Sequence, residues 1–303
     1  MKVRIGVGTG SGPMSGDVLA TLVEDLEARR FDSLWWADVL TVPGDDPLAA
    51  MAFAAGRVAH LKIGTTMVLP GRRPVRLAKQ LATLDQLSGG RLLVTFVLGL
   101  RLPAELEALG VAAGDRGRAV EETLPLLRRL WAEDDVHHEG ACWSLRGVTV
   151  EPKPRQRPLE AWLGGTAPAA QRRAGALADG WLPALCTPAE AEAGRRVVEE
   201  AAAAAGRRVD PEHFGVSIGY TLGEPPADLL RRVMVRRAGA GSPDATDAEV
   251  QDLVPNGIGQ LRSLVGRFTD AGFSKFVVRP VVPPRSWARE LDILAQGLLD
   301  LQT

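Results

Sequence analysis

The sequence predicts an α/β fold of the (β/α)8 TIM-barrel type, a single domain over residues 1–303. Three observations point there. Apolar, strand-like runs alternate with amphipathic helical runs eight times along the chain, the order of a parallel sheet wrapped by helices. The run RLLVTFVL, Arg91 to Leu98, is apolar without alternation, so both of its faces must be covered. No repeat or low-complexity linker divides the chain, and 46% hydrophobic residues suffice for one large core.

Val3 to Gly8 is the first strand and runs into a glycine-rich loop, GTGSGPMSGD. The helix from Asp17 to Arg30 puts Leu19, Leu22, Val23 and Leu26 on one face. Ser33 to Asp38 is the second strand, Asp46 to Val58 a helix, and Leu61 to Leu69 the third strand. The following helix, Val75 to Gly89, ends where Gly89 or Gly90 can supply a left-handed cap. After the fourth strand, Arg91 to Leu98, a long amphipathic helix covers Arg116 to Asp134. His137 to Pro158 reads as a small hairpin and a proline-rich connector. The alternation resumes with strands at Leu159 to Gly165, Asp179 to Leu185 and Phe214 to Leu222, separated by helices at Ala167 to Ala178 and Pro188 to Gly206. An insertion of helix and loop, Pro226 to Pro255, precedes the last helix–strand unit, Gly257 to Gly272 and Ser274 to Val281. A helix from Ser286 to Leu301 closes the chain.

A net charge of −1 supplies no field to gather nucleic acid or an anionic membrane, so neither is expected as a partner. Cys142 and Cys186 lie far apart without metal-ligand spacing, and the four histidines are scattered. No metal site or disulfide framework is expected, and a cytoplasmic location follows as the default. No run resembles a signal peptide or spans a membrane.

In such a barrel chemistry sits at the C-terminal ends of the strands. Ala37-Asp38, Thr66-Met67, Leu98 to Arg101, Gly164 to Thr166, Pro183 to Cys186, Ser217 to Thr221 and Arg279-Pro280 fall there. The sharpest local feature is WLGGTAPAAQRR. A strand runs through Gly164, Gly165 and Thr166 into a helix beginning near Pro168, which leaves backbone N–H groups available to an anion. A tight βα turn without a ligand has the same pattern. Asp38 closes an apolar strand, either as a base or as a structural carboxylate bonding rim amides. Arg72 and Arg73 follow a Pro-Gly break, either as solvated loop residues or as contacts to an anionic tail. The dinucleotide fingerprint G-x-G-x-x-G with a following acid is absent, and no Ser-His-Asp triad can be assembled.

The runs LAKQLATLDQLSGGRLLVTFVLG, RGRAVEETLPLLRRLW, EPKPRQRP, WLGGTAPAAQRRAGALADGWLP and AGFSKFVV, in that order, resemble the bacterial luciferase-like monooxygenase superfamily. Within it the chain is most similar to the actinobacterial branch of coenzyme F420-dependent oxidoreductases. The resemblance implies a luciferase-like (β/α)8 barrel whose C-terminal mouth holds a flat deazaflavin or flavin ring. It implies a non-prolyl cis peptide behind that ring at Thr66–Met67, and a cofactor phosphate at Gly164, Gly165, Thr166 and Ala167. Relatives are often dimers, so a homodimer is expected.

Two departures alter what carries over. The family's Ser/Ala-Asp-His at the end of the second strand is Ala37-Asp38-Val39 here, so the carboxylate is kept and the imidazole is lost. After the fourth strand, VLGLRLPAE keeps only Gly99 of a Gly-x-Gly run and places Leu100-Arg101 where an acid is usual. Asp38 is thus the expected catalytic residue, and Arg101 the expected contact to an anionic substrate or tail. The expected activity is hydride transfer between F420 and a small organic substrate. The alternatives are an FMNH2/O2-dependent monooxygenase and a cofactor-binding barrel without catalysis.

Overall fold

A computed structural model describes residues 2–10, 12–240 and 252–303. Seven parallel strands form one curled sheet: β1 (Arg4–Gly8), β2 (Ser33–Ala37), β3 (Lys62–Val68), β4 (Leu92–Val97), β7 (Ala161–Leu163), β8 (Gly215–Tyr220) and β9 (Lys275–Pro280). Their spatial order is β7-β4-β3-β2-β1-β9-β8. Register is set by continuous ladders, with Ala37 opposite Thr66 and Met67 opposite Phe96. The helices α1 (Gly16–Ala28), α2 (Pro47–Ala55), α3 (Pro74–Leu87), α4 (Pro103–Leu109), α5 (Arg116–Ala132), α6 (Pro168–Leu177), α7 (Pro188–Ala204), α8 (Leu229–Ala240), α9 (Ile258–Asp270) and α10 (Trp287–Leu298) connect them. None of these is long and apolar enough to cross a membrane. The expected hairpin is present as antiparallel β5 (Val136–Glu139) and β6 (Ser144–Val148). Of the expected insertion, α8 is described, whereas residues 241–251 lie outside the described residues.

The strand expected at 179–185 does not form. Its residues bridge β7 and β8 one at a time: Leu163 with Trp181, Trp181 with Phe214, and Ala184 with Ser217. The reason is local. Pro183 has no N–H to give a ladder, and Leu185 turns out of extended geometry at φ 55°.

Local chemistry sets the helix starts. Ser15 and Asp46 accept from the first-turn amides of Val18 in α1 and Ala49 in α2, and Thr187 with Glu190 forms a reciprocal capping box on α7. Strand alternation then divides the core into two layers. Ile5, Leu34, Ile63, Phe96 and Phe276 face the helices, whereas Trp35, Trp162, Leu182 and Val277 form a separate cluster inside the curl of the sheet. Trp35 fits only because its neighbours lack side chains. A Cβ at Gly64 would stand 2.5 Å from the indole Cδ2, and one at Gly6 would stand 3.0 Å from its Nε1.

Below this aromatic layer, at the strand N-termini, lies a cavity of about 140 Å³ lined by Arg4, Lys62, Glu160, Glu212, His213 and Lys275. Asp32, just before β2, receives Lys275 Nζ at 2.7 Å and Lys62 Nζ at 2.9 Å. Burial alone would raise the Asp32 carboxyl, but the two ammonium groups more than reverse this and hold it well below the usual carboxylate range. Asp32→Asn leaves a buried Lys275 without its counter-charge, and urea unfolding at pH 7 is expected to show a loss of about 3–5 kcal/mol. The sign of the pH dependence follows from the depressed value. The stabilisation is complete above about pH 4, where the unfolded carboxyl is ionised, and declines as acid drives pH toward the lower folded value. The pH slope of stability below pH 4 should therefore be shallower in the Asp32→Asn variant.

Candidate active site at the strand ends

At the C-terminal end of the sheet most inward positions are small, Val97 and Arg279 being the larger ones. Gly8, Ala37, Thr66, Gly164 and Gly219 share the inward parity of Trp35 and Trp162, so the mouth above the aromatic layer is open where a bulkier set would fill it. Thr95, in register with Thr66 on one side and Trp162 on the other, is fully buried, and its hydroxyl has no partner. Small inward side chains leave room for a flat ligand above this layer.

Thr66 and Met67 differ in what they face. Thr66 is half-buried on the mouth side, whereas the Met67 side chain is fully buried among the residues facing the helices. The cis peptide expected between them is absent. The cis bonds among the described residues are Glu151–Pro152 and Arg157–Pro158. β3 is instead extended through Thr66–Met67 because it is laddered on both sides, to Ala37 in β2 and to Thr95 and Phe96 in β4.

Asp38 sits at the rim, buried at 5% exposure, with Oδ2 accepting from the Val68 amide at 3.0 Å and from Arg72 Nη2 at 2.8 Å. Arg72 Nε also donates to the Val68 carbonyl at 3.0 Å. This single cluster answers the open question about Arg72, whose charge is spent on Asp38. Arg73 is the residue before α3 and lines an outer groove.

The turn at Gly164–Ala167 forms as expected. Gly165 holds φ at 109°, and α6 starts at Ala167-Pro168 without a side-chain cap. Two polar side chains steady the turn: Trp181 Nε1 donates to the Gly165 carbonyl and Gln171 Nε2 to the Thr166 carbonyl, each at 2.9 Å. Neither glycine tolerates a methyl group easily, since a Cβ at Gly164 would stand 2.8 Å from Val97 Cγ1 and one at Gly165 would stand 2.9 Å from Ala170 Cβ. Arg173 is paired with Glu121 at 2.9 Å.

Arg101 is exposed in the β4–α4 loop. The loop is shaped by a residue that sequence reading passed over, Arg116, which is buried and donates to the carbonyls of Leu98 at 3.1 Å and Gly99 at 3.0 Å. Burial, with repulsion from Arg101, lowers the Arg116 pKa, as expected of a guanidinium held by neutral carbonyls. Glu105 was also passed over. It is fully buried in α4 and accepts from the Leu40 amide at 3.2 Å and from the Thr41 amide and hydroxyl at 3.1 and 2.8 Å. The only signal was an acid four residues past Arg101, with nothing to indicate its partner. Cys186, another rim position, is buried, and burial pushes its thiol up to about 12, so it stays protonated. No group of three or more His, Cys, Asp or Glu side chains among the described residues is placed to hold a metal ion.

Known proteins resemble this chain to different extents. The chain is 27% identical over 228 residues to the F420-dependent glucose-6-phosphate dehydrogenase of Kineococcus radiotolerans, which covers 70% of this chain and 66% of that protein. It is 37% identical over 117 residues to the FMNH(2)-dependent dimethylsulfone monooxygenase of Pseudomonas putida, covering 37% of this chain and 32% of that one. The chain thus spans between a third and two thirds of the length of these curated relatives. Among solved structures, an F420-dependent secondary alcohol dehydrogenase in complex with an F420–acetone adduct matches with a TM-score of 0.83 at 20% identity, over 100% of both chains. The long-chain alkane monooxygenase LadA matches with a TM-score of 0.79 at 15% identity, over 99% of this chain and 92% of that one. Both are likenesses of fold. Residues 1–267 match the family model for luciferase-like monooxygenases, and the chain belongs to that family.

Proposed function

We propose that this protein is an oxidoreductase that moves a hydride between coenzyme F420 and a small organic substrate at the C-terminal mouth of the sheet. We read the sheet as a (β/α)8 barrel closed through Gly180–Ala184, a reading supported by the Trp181 and Ala184 bridges. The observation that carries the functional reading is the mouth itself: a small-residue floor beside a glycine turn that leads into an uncapped helix. A bound deazaflavin would supply the redox chemistry. The chain's own residues would orient it, with Thr66 under the ring face and Gly164, Gly165, Thr166 and Ala167 around the phosphate. Met67 would act behind the strand, through packing. Asp38 would position the β2 and β3 ends through Arg72, and Arg101 would meet the anionic tail from the loop.

F420 is preferred over FMN because the F420-dependent relative aligns over 70% of this chain, against 37% for the FMNH(2)-dependent one. The FMN reading rests on the higher identity within that shorter stretch. We take the protein to act as a homodimer in the cytoplasm. The exposed apolar groove along α2 and α3, where Leu87 is 66% exposed, supports the first, and the two free thiols suit the second.

Fluorescence quenching on addition of F420 and of FMN tests the assignment; tight FMN binding with none for F420 would overturn it. Binding of either without turnover across carbonyl, enone and alcohol substrates would instead mark a non-catalytic barrel. Gly165→Ala forces a side chain into a left-handed position against Ala170, and F420 affinity in the same titration should fall roughly tenfold. Asp38→Ala strands Arg72 and the Val68 amide, with an expected loss of about 2 kcal/mol in urea unfolding. Adding Arg72→Met should recover part of that loss, since it removes the stranded charge.

A further inference from the structure

Among the described residues, enclosed arginines are satisfied, with one exception. Arg91 donates to the carbonyls of Ala55, Leu61 and Ser88, Arg116 to those of Leu98 and Gly99, and Arg237 to Glu190 at 2.7 Å. Arg279, at the end of β9, is half-buried on the inward side of the mouth, yet among the described residues nothing accepts from its guanidinium. Its stem is accounted for: a Cβ at Gly8 would stand 3.0 Å from Arg279 Cβ and 3.1 Å from Cγ, so the aliphatic part lies over the glycine. The packing of the stem gives no partner to the head. Burial, with repulsion from Arg236, pushes the Arg279 pKa down to about 10, the signature of a cation short of counter-charge.

Arg236, Arg279 and Trp36 line one cavity of about 60 Å³ between the β1–α1 and β2–α2 loops. Trp36 is 2% exposed, and its Nε1–H is buried with no acceptor. The acid on the wall, Asp45, accepts from the Met14 amide at 3.3 Å. Two guanidinium-bearing residues, the exposed Arg236 and the half-buried Arg279, thus line a space the size of one small group, with two positive charges against one negative. Arg236 is brought there by its neighbour, since Arg237 ties α8 to Glu190 and to the Leu185 carbonyl at 2.6 Å. The position is also distinct from the proposed phosphate turn. β8 and the Gly180–Ala184 bridge separate β9 from β7 on that side of the sheet.

We propose that this cavity binds an anionic group of the substrate, a carboxylate, sulfonate or phosphate, with Arg279 as the specificity-determining contact and Arg236 as the second cation. Assignment of the anion to the substrate rests on the reading of the mouth as the active site; the existence of the anion site does not. Guanidinium recognises such oxyanions through paired N–H donors.

The test is a titration of the whole protein, without cofactor, with inorganic phosphate, methanesulfonate and acetate at constant ionic strength, read by thermal shift and calorimetry. The wild type should bind at least one of the three saturably. Arg279→Gln should weaken that binding roughly ten- to a hundredfold, and Arg236→Gln should weaken it less. Arg279→Lys, which keeps the charge, should recover part and controls for damage to the fold. F420 and FMN affinities should be unchanged in Arg279→Gln. Absence of saturable binding by the wild type, or equal binding by Arg279→Gln, overturns the site. Loss of cofactor affinity in Arg279→Gln assigns the anion to the cofactor's tail and overturns the substrate claim. Failure of the wild type to bind either cofactor counts against the proposed function alone and leaves the anion result standing.

Discussion

The architecture depends on filling the inside of the curled sheet. An inner space of this kind must be packed, and the Trp35 indole occupies its centre because Gly6 and Gly64 have no side chains to obstruct it. Its Nε1–H donates to Ser33 Oγ at 2.9 Å, so burial leaves no unsatisfied donor on the ring. With Trp162, Leu182 and Val277 the indole forms a partition. Below it the charged groups around Asp32 are paired and lock the strand starts. Above it the strands end on small residues, and the space is available for chemistry. One aromatic layer therefore separates the half of the molecule that holds the fold from the half that can bind.

Around the mouth, polar ties substitute for apolar packing. Asp38 joins the ends of β2 and β3 through Arg72, Arg116 gathers the β4 loop by its carbonyls, and Trp181 and Gln171 steady the glycine turn. Each tie satisfies backbone or side-chain groups that a loop would otherwise leave to water. The result is a rim whose shape is determined before any ligand arrives, which lowers the ordering cost of binding.

The strands and helices were legible because hydrophobic period and glycine punctuation are local properties. Arg91 to Leu98 had to be a doubly covered strand, and Pro188 to Gly206 read as a helix. The segment at 179–185 was misjudged because its apolar residues satisfy the pattern while Pro183 and the turn at Leu185 defeat the ladder, a conflict visible only once the neighbours are known. Of the site, the Gly164–Ala167 turn could be read from four adjacent residues. The partners of Asp38 and Glu105 could not, since the groups they bind lie 30 and 64 or more positions away in the chain. Arg279 was marked only as a strand end; its lack of a partner among the described residues is a fact of three dimensions. The expected cis bond failed for a related reason, because two continuous ladders hold β3 extended through Thr66–Met67.

Glu105 reaches across units of the fold: it belongs to the segment after β4, yet its carboxylate grips Leu40 and Thr41 after β2. These two loops are tied into one unit by that carboxylate, although most of the β2–β4 unit lies between them. A chimaera that exchanges the α4 segment with a family member must carry Leu40–Thr41 along, or it will bury a carboxylate facing amides shaped for a different partner. Diversification of the mouth should accordingly proceed by paired loop changes, and a graft of either loop alone would inherit the new residues without the old geometry.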